Sequence, residues 1–152
     1  AAIAPVAGTM AEGLDKVLKP TSPVSAISFH GVADRLVPWE GGRLPVPPDL
    51  GRDLGRVLSV RDTVAFWVKV NGCVSEPVVT ALPDVDADTG RLIYREEHRG
   101  EQADVVLYRI DGGGHVWPGQ VHETGGKDSY GSELIWGFFK THPKGRPSAS
   151  IK

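Results

Sequence analysis

Cysteine is almost missing from this chain. Cys73 stands alone in 152 residues, so no internal disulfide can form and the fold has to rest on its core. No charge of one sign dominates: 17 Lys and Arg face 19 Asp and Glu. That balance removes the basic surface that nucleic acid or an anionic membrane would need as a partner. No apolar run approaches the roughly 20 residues of a membrane-spanning helix. Ala1–Gly8 is apolar, but it lacks the basic flank and the length of a secretory signal. Glycine and proline are plentiful instead, at 19 and 12 residues, a loop-rich usage that argues against a helix bundle. An apolar share of 40% beside a charged share of 24% is that of an ordinary folded domain, and the length suffices for one real core.

Ala2-Ile3-Ala4-Pro5-Val6 reads as a short buried strand, and a domain rarely begins inside its core sheet, so residues are expected in front of it. Gly13 to Pro23 is a polar connection, and Val24–Phe29 is a second strand. His30 to Gly42 leaves that strand as a loop. Pro45, Pro47 and Pro48 exclude a helix from Arg43 to Asp53, which reads as a flap or a surface crossover. Ser59-Val60-Arg61-Asp62 resembles a capping box, after which Val60, Val64, Trp67 and Val68 recur at helical spacing until Asn71-Gly72 stops the helix. Pro77–Leu82 and Leu92–Tyr94 are candidate strands, the latter a partner for the apolar run Val105–Ile110. Ser132–Thr141 is expected to form a last helix with Leu134, Ile135, Phe138 and Phe139 on its apolar side, and His142-Pro143 ends it. This order predicts the α/β class, with a mostly parallel sheet flanked by helices. Residues 1–144 then form one domain portion and 145–152 a flexible tail.

Chemistry concentrates at two strand ends. The run Val105–Ile110 passes into Asp111-Gly112-Gly113-Gly114-His115, which displays an imidazole at the carboxyl end of a strand, where open α/β sheets place their sites. Asp34 lies just beyond the second strand. A carboxylate bonded to one ring nitrogen of His115 would fix its tautomer and stabilise the imidazolium. Each residue taken alone reads as a turn aspartate or a surface histidine. Together, in the order acid then histidine, they suit a general base and its orienting acid.

Phe29–Gly42, read as F-H-G-x-A-D-x-x-V-P-W-E-G-G, and Asp111–Gly119, read as D-G-G-G-H-x-W-P-G, resemble the poly(3-hydroxybutyrate) depolymerase and feruloyl esterase group of secreted α/β-hydrolases. Ala1–Gly8 resembles the strand that follows that family's nucleophile helix, and Ser132–Phe139 its final helix. The resemblance implies the carboxyl-terminal part of an α/β-hydrolase fold, with Asp34 as triad acid and His115 as triad base. It implies a polyester or an esterified polysaccharide as substrate, no cofactor, and an extracellular location. Two departures stand out. No G-x-S-x-G occurs in the chain, so the serine and the oxyanion hole would belong to a preceding half. The family also pairs the cysteine of its N-G-C segment with a later one, and Tyr94–Asp104 has none to offer Cys73.

Trp39 and Trp117 lie within a few residues of the acid and the base, either as packing or as a substrate-binding rim for an apolar acyl group. His30 reads as structural, holding the acid loop. His98, His122 and His142 show no ligand spacing, so no metal site is expected. Asp84-Val85-Asp86-Ala87-Asp88-Thr89-Gly90 is an imperfect calcium loop, better read as an acidic turn. The alternative to an esterase is a non-catalytic binding domain of hydrolase-like shape.

Overall fold

Two central strands organise the chain. Ser25–Gly31 (β2) and Val105–Ile110 (β7) pair in parallel, with Ala26 opposite Val105 and Gly31 opposite Ile110. Their side chains alternate between the two faces of the sheet. Ala26, Val105 and Leu107 point to one face, and Ile27, Phe29, Val106 and Tyr108 to the other. These coordinates come from a computed structural model, which describes residues 1–46, 51–82, 92–118 and 130–144. The acidic run at 84–90 and the tail at 145–152 lie outside the described residues.

Ala2–Ile3 (β1) pairs in parallel with β2. Beyond it the backbone stays extended through Pro5, whose carbonyl accepts from Phe29 N at 3.1 Å, to an isolated bridge at Val6. Proline has no N–H to give a ladder, which is why the regular strand stops short. Val78–Ala81 (β5) and Ile93–His98 (β6) complete a five-stranded sheet in the order β1-β2-β7-β6-β5. The expectation of a mostly parallel sheet is corrected here. β1, β2 and β7 run parallel, but β6 is antiparallel to both β7 and β5. The cause is connection length: residues 99–104 join β6 to β7, and a parallel return needs a crossover of about a dozen residues or more. The result is a mixed α/β sheet.

A helix covers each face. Val60–Asn71 (α2) lays Val60, Val64 and Val68 on Ala26, Val105 and Leu107. Each such fully buried side chain contributes roughly 2 kcal/mol. Ser59 caps this helix as its sequence foretold: the hydroxyl accepts from Asp62 N at 2.9 Å and donates to the Asp62 carboxylate at 2.7 Å. At the other end Gly72, at φ 62°, takes the left-handed turn, and Asn71 exchanges two hydrogen bonds with the Val24 backbone. Tyr130–Thr141 (α3) covers the opposite face through Leu134, Ile135 and Phe138.

Three local expectations need correcting. β2 continues through His30 and Gly31, because β7 offers them partners up to Ile110. The polar connection after Gly13 holds a four-residue helical turn, Leu14–Val17 (α1). At the two ends of the stretch read as irregular, Gly42–Arg43 (β3) pairs with Arg56–Val57 (β4) as a two-stranded antiparallel ribbon.

Candidate active site

The parallel ends of β2 and β7 launch two loops side by side. The acid loop begins at Val32 and the base loop at Asp111. Hydrogen bonds weld them together: Val32 N donates to Ile110 O and Ala33 N to Gly113 O, both at 2.9 Å. The approach is so close at Gly31 that an added Cβ would stand 2.2 Å from Gly113 O and 2.6 Å from Gly114 O. Only glycine fits there. The sequence places Gly31 at a strand end, directly after His30. Its one signal was the strand–Gly–x–x–Asp spacing.

Asp34 is buried, with its side chain fully shielded from solvent. Its Oδ1 accepts from the amides of Leu36 at 2.8 Å and Val37 at 2.9 Å, an Asx-type turn that folds the loop around the carboxylate. Its Oδ2 lies 2.9 Å from Nδ1 of His115. A carboxylate can only accept, so Nδ1 carries the proton in that bond. Nε2 is then the free ring nitrogen. The His115 side chain is 40% exposed, and Nε2 has no hydrogen-bond partner among the described residues.

His30 supports the acid from beneath. Its Nε2 donates to Val37 O at 2.9 Å and stands 3.6 Å from Asp34 Oδ2, while the ring is 2% exposed. Trp39 meets that ring edge-on, with centroids 6.0 Å apart. Trp39 is half-buried against the α2-side core, with the Arg61 guanidinium 5.5 Å above it. Its carbonyl accepts from Val60 N at 2.9 Å, which joins the acid loop to the start of α2. Trp117, two residues past His115, is 38% exposed. Thus the structure brings Asp34 and His115 together, sets Trp39 into packing beside the acid loop, and leaves Trp117 open beside the base. Among the described residues, no cluster of three or more His, Cys, Asp or Glu could hold a metal ion.

Cys73 makes no disulfide. Its Sγ lies 3.2 Å from Ala103 O, to which the thiol donates, and burial pushes the thiol above its ordinary pKa.

An α/β protein that holds a buried carboxylate against an imidazole at parallel strand ends has the parts of an acid–base site. No protein-family model matches the chain. It is similar to the protein named "Putative esterase NocK" from Nocardia uniformis subsp. tsuyamanensis, at 31% identity over 124 residues, which is 78% of this chain and 36% of that relative. The chain therefore spans little more than a third of that relative's length.

Proposed function

We propose that this chain carries the acid and base of a serine ester hydrolase of the α/β type, and that it forms the carboxyl-terminal part of such a fold. The observation that carries the reading is the 2.9 Å contact of His115 Nδ1 with the fully buried side chain of Asp34, on an imidazole that is 40% exposed. The similarity to a protein named as an esterase supports the reaction class.

In this reading a serine supplied by sequence outside these residues approaches Nε2. His115 takes the hydroxyl proton as Oγ bonds to the ester carbonyl carbon, and Asp34 stabilises the imidazolium. The imidazolium then protonates the leaving alkoxide as the C–O bond breaks, and an acyl-enzyme remains. Water, deprotonated by the same Nε2, releases the acid and restores the serine. The oxyanion donors belong outside the chain with the serine. The substrate class is a polyester of the 3-hydroxybutyrate kind or an esterified polysaccharide, met outside the cell. Trp117 and the uncovered part of Trp39 would offer apolar surface to the acyl group.

The test is hydrolysis of p-nitrophenyl butyrate by the chain joined to the sequence that precedes it in its own gene. The joined protein should hydrolyse the ester, and His115→Ala should reduce kcat at least about a thousandfold, the scale of losing a triad member. Activity retained by His115→Ala would overturn the assignment.

A further inference from the structure

Glu96 of β6 is 3% exposed, in a strand where its neighbours Arg95 and Glu97 are also charged. A glutamate is almost never buried this fully unless it is paired. Two arginines pair with it on the α2 face of the sheet. Arg61, in the first turn of α2, forms a double hydrogen bond: Nη1 donates to Oε2, and Nη2 to Oε1 at 3.0 Å. Arg109 of β7, diagonal to Glu96 across the ladder, brings its Nε to 3.3 Å from the same Oε1. That second contact is one of charge, since the buried Nε makes no hydrogen bond among the described residues.

Each arginine then reaches one of the two loops. The Arg61 guanidinium lies 5.5 Å over the ring of Trp39 in the acid loop, and Glu40 of that loop adds to the attraction. The Arg109 guanidinium lies 4.3 Å over the ring of Tyr94, and its Nη1 stands 3.5 Å from Oδ1 of Asp111, where the base loop begins. One buried carboxylate therefore draws together the side chains that touch both loops. Without its charge the two guanidinium groups lose the counter-ion they share in a poorly solvated place. Each can regain water only by moving outward, away from the loop residue it now holds.

We propose that Glu96 is a positioning residue for the Asp34–His115 pair: through Arg61 it holds the acid loop at Trp39, through Arg109 it holds the base loop at Asp111, and so it sets how the acid and the base meet. Its meaning for catalysis rests on the ester-hydrolase reading, whereas the positioning is a property of the loops and is read without any reaction.

The test follows two NMR signals of the full chain: the downfield Nδ1 proton of His115, and hydrogen exchange of the Ala33 amide, whose bond to Gly113 O joins the loops. Glu96→Gln keeps the side-chain shape and removes the charge. It should broaden or erase the Nδ1 resonance and speed Ala33 exchange at least about tenfold, the loss of one hydrogen bond. Asp111→Asn weakens the link to Arg109 at a partly exposed position, and it should speed Ala33 exchange by a smaller factor. Val68→Ala is the control: it loosens the core side of α2 two turns beyond Arg61 and should lower stability while the Nδ1 resonance stays in place. A sharp, unmoved resonance in folded Glu96→Gln would overturn the proposal. Loss of the resonance in Val68→Ala would do the same, because general stability would then explain the effect. If Glu96→Gln does not fold, unchanged Ala33 exchange in Asp111→Asn refutes the link. In the protein joined to its preceding sequence, Glu96→Gln should lower kcat with little change in KM. Absence of hydrolysis by the joined parent would count against the ester reading alone and leave the NMR result to decide the role of Glu96.

Discussion

Both carboxylate oxygens of Asp34 are committed, one to two backbone amides and the other to His115. Removing the carboxylate takes the shared acceptor from the amides of Leu36 and Val37 in a part-buried turn. Asp34→Ala should therefore destabilise the fold by about 3 kcal/mol, read from urea unfolding. His115→Ala should cost less than about 1 kcal/mol, because its ring is 40% exposed and water can replace it. Equal costs for the two would contradict the view that Asp34 builds the loop while His115 only uses it. Both residues were legible in the sequence, each following an apolar strand and a glycine turn. What the sequence did not disclose was the Asx turn, since a single acceptor for two amides is a matter of loop closure. Cys73 offers a second check. Burial raises its pKa, so the thiolate is scarcer at neutral pH than in an ordinary thiol. The pH midpoint of its alkylation by iodoacetamide should lie above that of the urea-unfolded chain, and a midpoint at or below it would contradict the buried environment.

Two strands that run parallel to the same end bring the acid and the base together, and Gly31 sets how closely their loops meet. A methyl group at this position would collide with the backbone of Gly113 and Gly114 rather than with a flexible side chain. Gly31→Ala should thus cost about 3 kcal/mol or more and separate the two loops. The downfield Nδ1 proton resonance of His115 should disappear with it. A stable variant that keeps this resonance would show that the loops can slide apart without losing the pair. Strands β2 and β7 could be read from their apolar-rich runs, and α2 from its serine cap and its valine spacing. β3, β4 and α1 could not, because elements of two to four residues have no periodicity to detect. Strand direction was misjudged where a candidate pairing was recognised but the shortness of its connection was not weighed. Six-residue β6 returns to β7 through a loop that no crossover could fit, and antiparallel pairing follows.

The molecule is a sheet held from two sides with unequal strength. On one face, α2 buries Val60, Val64 and Val68, exchanges hydrogen bonds with Val24, and reaches Glu96 of β6 through Arg61. On the other, no apolar side chain of α3 is fully buried among the described residues, and Trp136 is 63% exposed. α3 is instead anchored at its ends: Gly131 N donates to Pro118 O beyond the base loop, and His142 Nε2 lies 3.0 Å from Asp104 before β7. The base loop is therefore linked to the less firmly held helix. Native-state hydrogen exchange should show this directly. The amides of Val64, Val68 and Leu107 should exchange only with global unfolding. Those of Leu134 to Phe138 should exchange through a local opening about 2 kcal/mol lower, near the burial of one valine. If both sets exchange with one free energy, α3 is as integral as α2, and the base loop is braced by the whole core. If α3 opens first, motion at His115 is governed by the helix behind it, and a substitution on its exposed side, such as Ser132→Leu, should leave the exchange unchanged, whereas Leu134→Ala, which removes packing against the sheet, should accelerate it.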